Sequence, residues 1–243
     1  MIILREDTGP PGIGQEPHAV PHRTSVRSVT MDSSRLYLDI TDFAHSTPGW
    51  VQSLFEAWTT FGLFAFGLLF ISVWWRSRRQ ESPRAVALAV LAPLATAVAY
   101  VASEALKSVV DEERPCRAVA GAAVPLVPCP AFGDWSFPSN HSAIAGAAAV
   151  ALALAVRRLA LLTVPLALLM AFSRVFVGVH YPHDVTLGLL LGGSLAAVFV
   201  LGLAGPISTI TAAARAGGGR AAVWFTGPGP AARPQNMSGC RLP

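Results

Sequence analysis

The chain has 243 residues, of which 53% are hydrophobic and only 13% charged. A soluble domain of this length carries about 25% charged residues, so the composition points to a multispan membrane protein, one bundle without a second globular domain. The formal charge of +4 rests on arginine, which supplies 17 of the 18 basic residues; these lie in short loops between apolar runs and form no basic stripe, which favours anionic lipid headgroups and argues against nucleic acid.

Residues 1–32 are polar and rich in Pro, Gly and His. They lack the continuous apolar stretch of a signal peptide and are expected to be a disordered extension, with Met31 as an alternative start. Residues 33–49 set Leu36, Leu38, Ile40 and Phe43 among polar residues. That pattern is expected to form an interfacial helix lying against the first span. A bilayer core of about 30 Å needs roughly 20 apolar residues per helix. The runs 53–75, 85–106, 158–179 and 185–207 meet this. A fifth run, 142–156, is short; it suffices if its helix begins near Ser139 and turns a polar first turn toward a protein cavity. The expected fold is therefore all-α, an integral membrane helical bundle of about five transmembrane helices plus an N-terminal interfacial helix, over residues 33–210. Residues 211–243, rich in Gly, Pro, Ala and Arg, are expected to be a flexible cytoplasmic tail.

The loops assign the two sides. Arg76, Arg78, Arg79, Arg84, Arg157, Arg158, Arg215, Arg220, Arg233 and Arg241 share one side of a five-span plan, which the positive-inside rule makes cytoplasmic. Lys107, Arg114 and Arg117 fall on the other side, and Arg174 lies near that end of its span.

Three segments with chemical potential reach this outer face. In the first, Lys107 and Arg114 are seven residues apart, which on a helix puts both on nearly one face, and Pro115 ends the run. An ammonium and a guanidinium fork suit phosphate oxygens, although basic residues also flank membrane spans routinely. Asp111 is expected to pair with Lys107, and Glu112 and Glu113 to be solvated. In the second, Pro138-Ser139-Asn140-His141 precedes the short helix. Free N–H groups at a helix start attract anions, and His141 at its mouth could protonate a leaving oxygen; an N-cap followed by an interfacial histidine is the plainer alternative. In the third, Arg174 sits inside an apolar run, where a charge is costly and is read as facing a cavity or partner. His180 follows on a chain that Gly178 can bend, and Asp184 lies four residues on. A carboxylate that accepts from one ring nitrogen fixes the tautomer and leaves the other free to attack. A snorkelling Arg, a loop His and a capping Asp are the alternative.

The joint pattern, K-x6-R-P, P-S-x-H and S-R-x5-H-x3-D, resembles the signature of the type-2 phosphatidic acid phosphatase family, which shares a superfamily with vanadium haloperoxidases and bacterial acid phosphatases. One departure is Asn140, where the common form has Gly. The small five-span plan is similar to the bacitracin-resistance type of undecaprenyl pyrophosphate phosphatase. The resemblance implies that His180 attacks phosphorus, Asp184 orients it, and His141 protonates the departing oxygen and then activates water. It implies that Lys107, Arg114 and Arg174, with Ser139 and the N–H groups near Asn140, hold the phosphate. His141, His180, His183 and Asp184 also permit a metal, but His-x-x-His-Asp is a weak ligand pattern and the cations would repel a divalent ion. No metal and no cofactor is expected, and His183 is expected at the surface beside the site.

Cys116 and Cys129 fall in the outer loop, where a disulfide can persist; a bridge is expected, with two free thiols as the alternative, and Cys240 is expected to be free. The expected function is metal-independent dephosphorylation of a membrane lipid at the extracytoplasmic face of the plasma membrane. Polyprenyl pyrophosphate is the first choice; phosphatidic acid, phosphatidylglycerol phosphate or another prenyl-linked phosphate is the alternative. A non-enzymatic transporter or scaffold is the reading from a different class. The lipid and the bilayer are the expected partners, and oligomeric state is left open.

Overall fold

The computed structural model describes residues 33–228. The expected N-terminal extension, its alternative start at Met31, and Cys240 lie outside the described residues. The described chain runs α1 (Ser34–Ser46), α2 (Gly49–Ser77), α3 (Pro83–Lys107), α4 (Pro115–Ala118), α5 (Asn140–Ala155), α6 (Ala160–Phe176), α7 (Pro182–Ala216) and α8 (Arg220–Thr226). A 3-10 turn at Arg157–Leu159 leads into α6, and there is no strand among the described residues.

Helices α2, α3, α6 with its leading turn, and α7 are each long and apolar enough to cross a membrane. The fifth, α5, has 16 residues, about 24 Å at 1.5 Å per residue. It starts at Asn140, directly after Ser139, as the sequence required for a span. The protein is an integral membrane helical bundle. Its centre is α5, which packs against α2, α3, α6 and α7. That position explains its composition: Ala143, Ala145, Gly146, Ala147, Ala148, Ala149 and Ala151 are all buried. Small side chains let neighbouring backbones approach, which is how helices gain contact where lipid removes the hydrophobic drive. The approach is closest against α7, where a Cβ on Gly192 would lie 1.9 Å from the Ala143 carbonyl oxygen and one on Gly188 2.7 Å from that of Ser139.

Alternating helix directions put two sets of ends together. At one end Arg215 donates to the carbonyls of Gln80, Glu81 and Thr226, and Arg78 lies over the rings of Trp74, Trp75 and Trp224. The expected flexible tail from 211 is corrected here: α7 continues as helix to Ala216, and α8 is docked back through Arg215 and the aromatic cluster. Residues 229–243 lie outside the described part. At the other end stand the C-termini of α3 and α6 and the N-termini of α5 and α7, with α1 beside them. Helix α1 packs chiefly on α6 and the loop after it, whereas the sequence suggested the first span. The reason is Tyr37, fully buried, whose hydroxyl donates to the Gly178 carbonyl at 3.0 Å. Burial pushes the Tyr37 hydroxyl pKa up to about 12, so it remains a donor.

Cys116 and Cys129 are joined by a disulfide, with Cα atoms 6.2 Å apart, which ties α4 to the long loop before α5. A thiol count on the purified full chain should find one reactive cysteine, Cys240, without reductant and three with it. Three before reduction would mean that the bridge does not form in the isolated protein.

Candidate active site

The α6–α7 connection positions the central histidine. Gly178 takes φ +86°, a left-handed conformation that a side chain disfavours, and its added Cβ would also press on Pro125 at 3.1 Å. This bend carries His180 into the protein, where it is 2% exposed. Pro182 then opens α7, placing Asp184 at the third helical position. Asp184 Oδ2 accepts from the Tyr181 backbone N–H at 2.8 Å and from Ser136 Oγ at 2.5 Å. It also lies 3.3 Å from His180 Nδ1. One carboxylate thus caps its helix and orients the imidazole at once. On the far side of the ring, Arg114 Nη1 lies 3.1 Å from Nε2. A guanidinium only donates, so Nε2 is the acceptor and Nδ1–H points to Asp184. The ring therefore keeps its lone pair on Nε2. Burial drives the His180 pKa down to about 4; Asp184 opposes this, and Arg174 and Arg114 add to the fall.

Three cations belong to this neighbourhood: Arg114 and Arg174 act on His180, and Lys107 shares Asp134 with Arg114. Lys107 ends α3 and is 7% exposed; Arg114 is 3% exposed. The helical spacing expected for this pair is corrected by the structure: α3 stops at Lys107, and Arg114 lies in extended backbone with ψ 143°. They converge because the intervening loop folds back. Both converge on Asp134, with Lys107 Nζ at 3.0 Å and Arg114 Nη2 at 2.9 Å from Oδ1. The expected Lys107–Asp111 pair is not the one formed. Burial pushes the Asp134 pKa up, but Arg114 and Lys107 outweigh it and hold the carboxyl below its usual range. Arg174, 8% exposed at the C-terminal end of α6, donates to Thr59 Oγ1 at 2.7 Å, while its Nε has no hydrogen-bond partner.

His141 lies in the first turn of α5, within Coulombic reach of Arg174, His180, Lys107 and Arg114. Ser139 is fully buried and makes no side-chain cap bond, which leaves the first N–H groups of α5 for an anion. Asn140 turns its amide away: Oδ1 accepts from Ser103 Oγ at 2.6 Å, and Nδ2 donates to Glu104. The side chain is thus moored on α3, and its own backbone N–H stays at the helix mouth.

A sequence profile of the PAP2 superfamily matches residues 88–205, the stretch that holds all of these groups. The site thus lies within a PAP2-superfamily match that spans just under half of the chain. Over 115 residues it is 37% identical to an undecaprenyl-diphosphatase of Sulfolobus acidocaldarius, covering 46% of this chain and 54% of that protein. Over 144 residues it is 29% identical to the undecaprenyl-diphosphatase BcrC of Bacillus subtilis, covering 59% and 67%. The chain therefore spans about half the length of the first of these relatives. The crystal structure of Aquifex aeolicus LpxE superposes with a TM-score of 0.52 at 22% identity, over 68% of this chain and 93% of that one, a likeness of fold.

Several members of this site carry no recognisable motif. Ser136, Asp134 and Thr59 contact Asp184, the cation pair and Arg174, respectively. Ser136 and Asp134 were open to detection only through their position just before Pro138. Thr59 is 115 residues from Arg174, and nothing local marks it. Glu112 and Glu113, expected to be solvated, are paired: Glu112 with His183 at 3.0 Å and Glu113 with Arg117 at 2.5 Å. His183, expected at the surface, is held between Glu112 and Ser33 and stacks on Tyr181. Glu112, His183 and Asp184 place potential ligand atoms within 4.8 Å of one another. His183 pairs with Glu112 there and lies 3.2 Å from Asp184 Oδ1, whereas the cap and His180 contacts of Asp184 are made by Oδ2.

Proposed function

We propose that this chain is a membrane lipid phosphatase that removes the terminal phosphate of a polyprenyl diphosphate, best undecaprenyl diphosphate, at the extracytoplasmic face of the plasma membrane. The observation that carries the reading is Arg174. Its guanidinium is buried, it has no carboxylate at ion-pair distance among the described residues, and its Nε is unpaired. A buried charge of that kind is costly unless an anion completes it. Beside it stand two more cations and an imidazole with its lone pair on Nε2. Phosphoryl transfer needs mainly positioning and neutralisation of the equatorial oxygens, which Lys107, Arg114, Arg174, Ser139 and the N–H groups at Asn140 would provide.

In the reading proposed, phosphate oxygens draw Arg114 Nη1 away and free Nε2. His180 Nε2 bonds to the terminal phosphorus as the bridging P–O bond breaks, and His141 gives its proton to the leaving lipid monophosphate. His141 then takes a proton from water, whose oxygen bonds to phosphorus as the P–N bond breaks. Inorganic phosphate leaves and His180 is restored, with Asp184 stabilising the charged ring throughout. The steps need no metal. The likeness to undecaprenyl-diphosphatases of Sulfolobus and Bacillus favours the diphosphate headgroup. The arginine-rich loops at the opposite end favour an extracytoplasmic site.

The test is phosphate release by purified protein in detergent from undecaprenyl diphosphate, undecaprenyl phosphate, phosphatidic acid and phosphatidylglycerol phosphate, with and without chelator. The expected result is the highest kcat/KM on the diphosphate, unchanged by chelator. Faster turnover of another lipid would move the substrate assignment, loss in chelator would remove metal independence, and no release from any of the four would end the phosphatase reading.

A further inference from the structure

The cation pair at the site is already spoken for by the protein itself. Lys107 and Arg114 are buried, at 8% and 3% side-chain exposure, and both converge on a single oxygen of Asp134, whose side chain is 49% exposed. A half-exposed carboxylate on a loop thus supplies the anion that two buried cations require. We infer that Asp134 is a built-in competitor for the phosphate subsite, a carboxylate that incoming phosphate must displace and that, on returning, helps expel the phosphate product.

The loop that carries it is arranged for such an exchange. Its base is fixed: the Cys116–Cys129 bridge closes the preceding segment, Arg117 donates to the carbonyls of Pro130 and Ala131, and Ser136 N–H donates to the Glu112 carbonyl at 2.8 Å. Its tip is not packed. Phe132 is 78% exposed, Gly133 takes φ +89° with open space where a Cβ would be, and Asp134 N–H closes a local turn on Ala131. The same residues, with Glu104 and Lys107, line a cavity of about 390 Å³. Arg114 Nε donates to the Asp134 backbone carbonyl at 2.7 Å, so the exchange is a rotation of the side chain with its backbone held, which costs mainly the two ion contacts and little core packing. The acid is ionised in place, because Arg114 and Lys107 hold it below the usual carboxylate range against the opposing effect of burial. It remains a full competitor at neutral pH. Without Asp134, Lys107 would keep only Glu104 at 3.9 Å and the two arginines no carboxylate at ion-pair distance among the described residues, and the three cations would hold inorganic phosphate after each turnover.

This inference rests on the phosphatase reading, and its sign is testable. If Asp134 holds the cations nine-tenths of the time, a phosphate sees only the remaining tenth of competent sites, and its apparent affinity is about tenfold weaker. Asp134→Asn keeps an acceptor oxygen but removes the charge. Orthophosphate titrated into full-length protein in detergent, followed by calorimetry, should bind Asp134→Asn roughly tenfold more tightly than the unaltered chain. Product inhibition by orthophosphate should tighten by the same factor. A carboxylate that merely aligns Lys107 and Arg114 predicts the reverse, weaker binding on removal. Equal or weaker binding by Asp134→Asn, with an unchanged melting curve, overturns the proposal. If that variant fails to fold, Asp134→Ser answers the same question. Direct binding needs no turnover, so failure to hydrolyse any lipid would sink the functional reading and still leave the Asp134 comparison readable.

Discussion

Replacing His180 with alanine is expected to lower phosphate release by about 10⁴-fold or more, with folding and membrane insertion retained. The magnitude follows from removing the covalent nucleophile of the proposed mechanism, after which only binding and charge neutralisation remain to assist water. Insertion is expected to survive because His180 sits in the α6–α7 connection, outside the helix contacts that hold the bundle together. Asp184→Asn tests a different element. Its loss frees the ring tautomer, and the expected fall is of similar order, on the pattern known for a buried acid that orients a catalytic imidazole. His141→Ala should cost less, about 10²–10⁴-fold, as for a general acid. That cost should shrink on an aryl phosphate whose leaving group needs no proton, whereas the His180→Ala loss should not. The pH profile adds a further check. With the His180 pKa held at about 4, the imidazole is neutral at every higher pH, and its lone pair is lost only as the pH falls through that value. The acid limb assigned to the nucleophile in kcat/KM should therefore lie near 4, well below the ordinary histidine range. A His180→Ala protein that still releases phosphate at the normal rate would end the proposed mechanism.

Local pattern accounts for part of this site and long-range folding for the rest. His180 and Asp184 were legible because four residues across a helix start bring a ring and a carboxylate together, and Pro182 marks that start. The short helix α5 was legible because its apolar run reaches a useful length only if the helix begins near Ser139, and it begins at Asn140. Lys107 and Arg114 do come together, but not through helical spacing. Helical spacing was not needed, because Asp134 and the Val179 carbonyl hold Arg114 in place from other parts of the chain. Asp134 and Ser136 were not legible because a lone Asp or Ser in a Gly- and Pro-rich loop looks like turn chemistry. Their partners lie 27 and 48 residues away. The tail failed for a similar reason. Gly and Ala runs suggest flexibility, yet Arg215 and the Trp74–Trp224 contact dock α8 through interactions that composition does not encode.

Enlarging Gly192 is expected to have the largest effect on stability. A Cβ at this position would lie 1.9 Å from the Ala143 carbonyl oxygen and 2.7 Å from its carbon. Those are backbone atoms at the centre of the bundle, so no side chain can rotate aside to make room. Overpacking of a core typically costs about 1–3 kcal/mol, and a clash with buried helix backbone belongs at or beyond the upper end. Here α7 must withdraw from α5, and with it the contact from the Ser139 N–H to the Asp184 carbonyl at 3.2 Å. Gly192→Ala should therefore lower the melting temperature in detergent and depress turnover together, and Gly192→Leu should give little folded protein by size-exclusion chromatography. The same helix supplies its own control. A Cβ at Gly202 would meet nothing within 4 Å. Gly202→Ala should leave stability unchanged or raise it by up to about 1 kcal/mol, the usual gain from removing a helical glycine. Equal behaviour of the two alanine variants would mean that α5 and α7 are not in backbone contact. Placement of His141 and Asp184 on a common rigid pair would then lose its physical basis.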